Sequence, residues 1–311
     1  MTSPAPPGVR PPRVWLRYLR AGIGILVLYF VGRHLLRNWE QFRAIELSWQ
    51  LRPVPLVAAV LVIVATYGLL VEAWRQLAAA WGWRMTWRQA ARVWIIASMG
   101  KYLPGKVWTV AGVASFAQEA GVSVWAATGS ALVNQVLSLA AGAAVAALTG
   151  FSVAPDGIFR VLVWVSFVGG LIGLLFLISP RVLSRIMAAA TGGQVALPIR
   201  RGPVLFAAAI HAVSWAGYGV ALLLVLAGTL PEVQLGLREA IAGFTISYIV
   251  GFLALLAPGG LGVREGTMVI LLQGPIGAAP AVALAAASRL VMTVADIVAV
   301  APFLVAGRKP K

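Results

Sequence analysis

The charged residues that interrupt otherwise apolar sequence are where chemistry is available to this chain. Ala257–Gly266 reads APGGLGVREG and sets Arg264 and Glu265 directly after a Pro-Gly-Gly run. Ser98–Trp108 reads SMGKYLPGKVW and sets Lys101 and Lys106 on either side of Pro104-Gly105. Proline removes a backbone donor and glycine admits conformations closed to other residues, so both stretches should break a helix. The breaks are assigned to Pro104, Gly105, Pro258, Gly259, Gly260 and Gly262. Cations gathered at two such breaks suit an anionic group: arginine grips a phosphate with two parallel hydrogen bonds and lysine serves as a point charge. The candidate binding residues are Lys101, Lys106, Arg264 and Arg289, with Glu265 and Asp296 balancing charge when the site is empty. Half-helix N-termini at Val107 and Val263 would add positive dipole ends.

Structural roles stand beside these. Glu265 could pair with Arg264 or Lys106 and close the second break. Asp296, two turns after Arg289 on the same helix face, could neutralise Arg289 or Arg264. Lys101 could be an interfacial lysine whose stem lies along apolar surface. Glu119 suits an interface more than catalysis, and His211, with Ser214 and Trp215 on its helix face, suits a packed, hydrogen-bonded histidine more than a proton relay. Asn134 and Gln135 suit contacts between helices.

Other chemistries are poorly supported. The chain has no cysteine, and its two histidines, His34 and His211, lie far apart, so neither metal nor cofactor is expected. It contains no G-x-S-x-G, no H-E-x-x-H and no P-loop, so no enzymatic activity is expected. Without an ATPase motif, transport would have to be driven by a gradient or a partner, or be passive.

The elements that must position these residues are membrane helices. The 311 residues are 60% hydrophobic and 11% charged, against about 25% charged in soluble domains. The net charge of +16 reads as the positive-inside bias of a polytopic protein together with attraction to anionic headgroups, and no nucleic-acid partner is expected. Met1–Pro12 is Pro-rich and expected to be disordered, residues 13–306 form one transmembrane domain, and residues 307–311 form a basic cytoplasmic tail. Full spans are expected at Val14–Leu36, Val54–Trp74, Val122–Thr149, Ile158–Ile178, Val204–Leu230 and Ala279–Ala306. Gln89–Ala120 and Leu237–Gln273 carry the breaks, and the arms of Gln89–Ala120 are too short to cross a ~30 Å hydrocarbon core singly. The fold expected is therefore all-α and polytopic, with about six full spans plus two re-entrant helical hairpins.

The hairpins resemble each other, Pro104-Gly105 matching Pro258-Gly259, which suggests an internal repeat. With the N-terminus in the cytoplasm, Arg10 to Arg20, Arg75 to Arg92, Arg181 to Arg201 and Arg308 to Lys311 face inward. The sparser Arg33 to Arg52, Arg160 and Arg238 face outward, as positive-inside asymmetry requires. The Arg33–Arg52 segment is the discordant piece. Both termini are then cytoplasmic, and the hairpins enter from opposite faces as an inverted repeat.

With KYLPG and PGG-L-G-V-REG in hand, the chain resembles the lysylphosphatidylglycerol synthase transmembrane family, also called the flippase-like domain family, over roughly residues 15 to 306. The resemblance implies a polytopic bundle concerned with moving lipids between leaflets of the cell (inner) membrane. Bifunctional members carry a following aminoacyl-transferase domain. It is not expected here because the chain stops at Lys311, so no synthase activity carries over. Lys106 departs from the small or polar residue expected in many relatives. The function expected is that of a flippase or transporter for an anionic-headgroup lipid: a phospholipid, an aminoacyl-phospholipid or a polyprenyl-phosphate-linked lipid. Two readings remain beside it. One is a non-transporting partner that presents a lipid to a glycosyltransferase or synthase. The other is a secondary carrier of a small anionic solute.

Overall fold

The computed structural model describes residues 51–102, 108–120, 123–150, 201–253 and 260–306, with isolated positions between 160 and 185. The Met1–Pro12 tail, the span expected at Val14–Leu36, the tail after residue 306, and Pro104, Gly105, Lys106, Val107, Pro258 and Gly259 lie outside the described residues, as does most of Ile158–Ile178.

Among the described residues every regular element is helical: α1 (Pro53–Ala80), α2 (Trp87–Ser98), a 3-10 turn (Met99–Tyr102), α3 (Trp108–Glu119), α4 (Val124–Gly150), α5 (Arg201–Thr229), α6 (Leu237–Leu253), α7 (Val263–Ile276) and α8 (Ala278–Ala306). Four of these, α1, α4, α5 and α8, are long and apolar enough to cross a membrane. Their outward faces expose large apolar side chains such as Leu61, Leu132, Val213 and Ile297. Water would penalise such faces and lipid would not, so the composition and the surface agree on a membrane-embedded protein. Inside, Ala, Gly and Ser let the helices approach: a Cβ built on Gly142 of α4 would meet the Trp215 indole of α5 at 2.8 Å.

The same order of elements occurs twice. A long helix, α1 or α5, is followed by a short link, a half-helix, a break, a second half-helix and another long helix, α4 or α8. The two links end alike. Thr86-Trp87-Arg88-Gln89-Ala90 starts α2, and Gly236-Leu237-Arg238-Glu239-Ala240 starts α6. The first hydrogen bond of each helix runs at 3.0 Å from the alanine N–H to the cap carbonyl, Ala90 to Thr86 and Ala240 to Gly236. In the first copy a reciprocal cap is added. The Gln89 N–H donates to Thr86 Oγ1, and the Thr86 N–H donates to Gln89 Oε1 at 2.9 Å.

Each interrupted element folds back on itself. Ala97 lies against Gly112 and Gly100 against Trp108 and Thr109, so α2 and α3 are adjacent and antiparallel. Gly243 lies against Leu272 and Gly251 against Arg264, so α6 and α7 are too. The half-helices α2 and α3 have 12 residues each, about 18 Å at 1.5 Å per residue, well short of a bilayer core.

Among the described residues, the most extensive helix contact is between α1 and α5. The Arg52 N–H donates to the Gly228 carbonyl at 2.9 Å at one end, and Thr66 Oγ1 sits against Gly217 halfway along. Residue numbers rise on one helix as they fall on the other, so the pair is antiparallel and crosses near the middle of both helices. By the same test α4 and α5 run parallel: His211 meets Asn134, and four residues on, Trp215 meets Ser138.

Candidate functional site

Helix α8 is the element on which both interrupted segments converge. Arg289, Met292, Thr293 and Asp296 recur at helical spacing and form one face. Asp296 is buried and holds the first break. Its carboxylate accepts from Lys101 Nζ at 2.8 Å, from the Tyr67 hydroxyl of α1 at 2.7 Å and from the Tyr102 hydroxyl. Lys101 Nζ also lies 5.7 Å from the centre of the Tyr67 ring and 5.4 Å from that of Tyr102. An ammonium between a carboxylate and two aromatic faces is held by charge and by ring quadrupoles together. Lys101 is thus paired with Asp296, and the partner found for Asp296 is Lys101 rather than Arg289 or Arg264.

The second break meets the same helix one to two turns earlier. Glu265 Oε1 faces Arg289 Nη1 at 3.6 Å, while its Oε2 accepts the Gly262 N–H at 2.7 Å. Of the two partners expected for Glu265, Lys106 lies outside the described residues, and Arg264 is not the one found: Glu265, in the first turn of α7, reaches back to cap its own helix and turns its other oxygen toward Arg289 on α8. That carboxylate also offsets part of the positive dipole end expected at Val263.

Arg264 is buried with its guanidinium 4.7 Å from the Phe244 ring centre and 5.5 Å from that of Tyr248, both on α6. It donates to Met292 Sδ of α8 at 2.9 Å. Among the described residues no carboxylate lies within ion-pair distance of it. Arg264 sits so deep because the backbone lets α6 and α7 close: a Cβ on Gly251 would meet Arg264 Cβ at 2.8 Å, and one on Gly260 would meet Gly251 Cα at 3.0 Å. Gly260 and Gly262 have φ of +70° and +80°, which glycine alone adopts without strain.

These groups form one constellation. Arg289 is near enough to Tyr102 and to Arg264 to act on both electrostatically, and Thr293 Oγ1 is turned back to the Arg289 carbonyl at 2.9 Å. A row of rings joins the cations: Lys101 lies over Tyr67, Tyr67 meets Tyr218 edge-on at 6.5 Å, Tyr218 stacks on Phe244 at 4.9 Å, and Phe244 carries Arg264. Among the described residues, Lys101, Arg264 and Arg289 gather here with Glu265 and Asp296, three cations to two carboxylates.

Of the binding residues expected from the sequence, the structure brings together Lys101, Arg264, Glu265, Arg289 and Asp296; Lys106 lies outside the described residues. Tyr67, Phe244, Tyr248 and Met292 were not anticipated. Tyr67, Tyr218 and Tyr248 could have been found by asking what partner a mid-span tyrosine hydroxyl would need. The remaining polar residues lie elsewhere. His211 is buried on α5 with Nε2 3.0 Å from Asn134 Oδ1, on the α4 side of the bundle. Glu119 is exposed at the end of α3.

No protein-family model and no curated protein matches this chain.

Proposed function

We propose that this protein is a flippase or transporter for a lipid with an anionic headgroup, and a member of the lysylphosphatidylglycerol synthase transmembrane family. The observation that carries this reading is the gathering, among the described residues, of three cations with two carboxylates where two helix interruptions meet on α8. An ionised side chain at membrane depth is costly unless it serves a pathway or a partner, and a headgroup phosphate supplies the missing negative charge. Arg264 and Arg289 would take its oxygens, with Lys101 and Lys106 beside them. Glu265 and Asp296 hold Arg289 and Lys101 when the site is empty.

The finer architecture belongs to the same reading. Six full spans and two re-entrant hairpins, α2/α3 and α6/α7, would form an inverted repeat about an axis in the membrane plane. The repeated order of elements, the antiparallel crossing of α1 on α5 and the shortness of α2 and α3 support it. The link before α2 and the first turns of that helix carry Arg84, Arg88 and Arg92, whereas the link before α6 and the first turn of that helix carry Glu232, Arg238 and Glu239. That asymmetry supports a cytoplasmic first hairpin, an external second one and cytoplasmic termini in the inner membrane. The protein acts by binding and alternating exposure, with no catalytic residue.

The test is leaflet-resolved. Proteoliposomes carrying fluorescent phosphatidylglycerol are quenched from outside, and the fraction that becomes accessible over time is followed. Wild type should move the lipid, and Arg264→Ala or Arg289→Ala should slow it at least about tenfold, the loss of one charge-assisted contact. No protein-dependent movement by wild type, with binding retained, would favour the lipid-presenting partner and end the flippase reading.

A further inference from the structure

We propose that Asp296 is a proton-binding site coupled to the anion site: the anionic headgroup takes Lys101, and a proton takes the place that Lys101 leaves on the carboxylate. This rests on the anion-binding reading above and adds its driving force, since lipid and proton would then move together.

The inference comes from the unequal surroundings of the two partners. Asp296 is 3% exposed and fixed on α8, whereas the Lys101 side chain is 32% exposed and sits at the broken end of α2. The ammonium can swing toward an incoming anion and the carboxylate cannot follow it. Once Lys101 turns away, Asp296 keeps two hydroxyl donors and no cation in contact. A buried carboxylate in that state is strongly disfavoured over the neutral acid. Protonation forms one O–H bond on the carboxylate, Lys101 remains an ammonium, and the proton comes from water on the side where Lys101 is exposed. A tyrosine hydroxyl both donates and accepts, so one of Tyr67 and Tyr102 can turn to accept the new acid O–H while the other goes on donating to the carboxyl.

The surrounding groups make Asp296 the exchangeable carboxylate. Facing it are Tyr67 from α1, Lys101 and Tyr102 from the first break and Tyr218 from α5; Arg289 stands two turns away on its own helix, near Tyr102, with Arg264 and Glu265 of α7 beside Arg289. Glu265 is a poorer candidate because one of its oxygens caps α7 through the Gly262 N–H. Protonating it would weaken the helix start, whereas protonating Asp296 costs only the contact that the anion replaces.

The experiment counts protons independently of lipid movement. The full chain in detergent is titrated calorimetrically with short-chain phosphatidylglycerol, and in a second arm with inorganic phosphate, in buffers of different ionisation enthalpy. Binding should be accompanied by uptake of about one proton per anion in wild type. Uptake in the lipid arm alone, or in both arms, supports the proposal and tells whether the acyl chains are needed. Asp296→Asn should abolish the uptake. Lys101→Gln should abolish it too, because Asp296 would already carry its proton, and this variant keeps the test open if Asp296→Asn does not fold. Binding without proton uptake, or uptake unchanged in both variants, overturns the proton site and leaves the anion site standing. No binding of either probe overturns both.

Discussion

Lys101 Nζ lies 2.8 Å from the Asp296 carboxylate across 195 residues of sequence. That contact fastens the first helix interruption to α8, the helix that also receives Arg264 and Glu265 from the second. Two segments far apart in the chain therefore share one wall, and whatever moves α8 is felt at both breaks.

Removing one side of that contact should be costly. Asp296→Ala leaves the Lys101 ammonium and two tyrosine hydroxyls without their acceptor. Breaking a buried ion pair costs about 3–5 kcal/mol, and the partial exposure of Lys101 lowers the expectation to about 2–3 kcal/mol. The midpoint of thermal unfolding in detergent should fall clearly. The double variant Lys101→Met/Asp296→Leu should regain most of the loss, since apolar replacement removes both charges at once. Equal losses in the single and double variants would show that the pair is not the source of the effect.

The two glycines of the second break should not tolerate substitution equally. Gly260 and Gly262 both have positive φ, but a Cβ at Gly260 meets the backbone of Gly251 at 3.0 Å, whereas one at Gly262 meets nothing within 4 Å. Gly262→Ala should cost only the backbone strain, about 1 kcal/mol. Gly260→Ala adds a clash that only a separation of α6 from α7 relieves, and should cost about 2–3 kcal/mol. Comparing unfolding midpoints of the two variants checks the ordering, and Gly262→Ala proving the worse would contradict it.

Much of this arrangement was legible in the residues. Pro-Gly runs beside cations, set in apolar sequence, fall between α2 and α3 and between α6 and α7, although Pro104, Gly105, Pro258 and Gly259 themselves lie outside the described residues; apolar runs located α4, α5 and α8 to within three residues and ended α1 six residues short. The charges named from spacing alone, Lys101, Arg264, Glu265, Arg289 and Asp296, are the ones that gather. Their pairing was not legible, because it depends on which helix faces which. The seven-residue interval from Arg289 to Asp296 invites a bridge along α8, yet the packing of α1 and the first break against that helix brings Lys101 to Asp296. The aromatic bed was missed for a related reason. Tyr67 and Phe244 look like ordinary core residues until the antiparallel crossing of α1 on α5 brings Tyr67, Tyr218 and Phe244 into one row.

That row makes Arg264 hard to replace even by another cation. Its guanidinium lies over two rings and reaches a thioether, contacts that use a flat, weakly hydrated group. Lysine keeps the charge but is compact and strongly hydrated. Arg264→Lys should therefore weaken binding of short-chain phosphatidylglycerol by about tenfold, in keeping with a desolvated cation–π contribution of roughly 1–2 kcal/mol. It should also lower the unfolding midpoint. Arg289→Lys, at a longer ionic contact, should lose less in both measurements. Lysine serving equally well at both positions would mean that charge alone matters.

The crossing of α1 on α5 can be tested directly, because the chain has no cysteine of its own. A Cβ at Gly217 would stand 2.9 Å from Thr66 Oγ1, so cysteines at the two positions fall near the spacing a disulfide needs. Thr66→Cys/Gly217→Cys should cross-link in membranes under mild oxidant, visible as a change in mobility after cleavage between the halves. Thr66→Cys/Val213→Cys should not cross-link, since Val213 is 57% exposed on an outward face. The Gly217 variant carries its own steric demand, so its folding is checked under reducing conditions by comparing its elution with wild type. A parallel arrangement of the two helices would separate residues 52 and 228 at opposite ends. Cross-linking at mid-helix alone cannot distinguish that arrangement, so Arg52→Cys/Gly228→Cys is the decisive partner pair. Cross-linking in both pairs requires the antiparallel crossing on which the convergence at α8 depends.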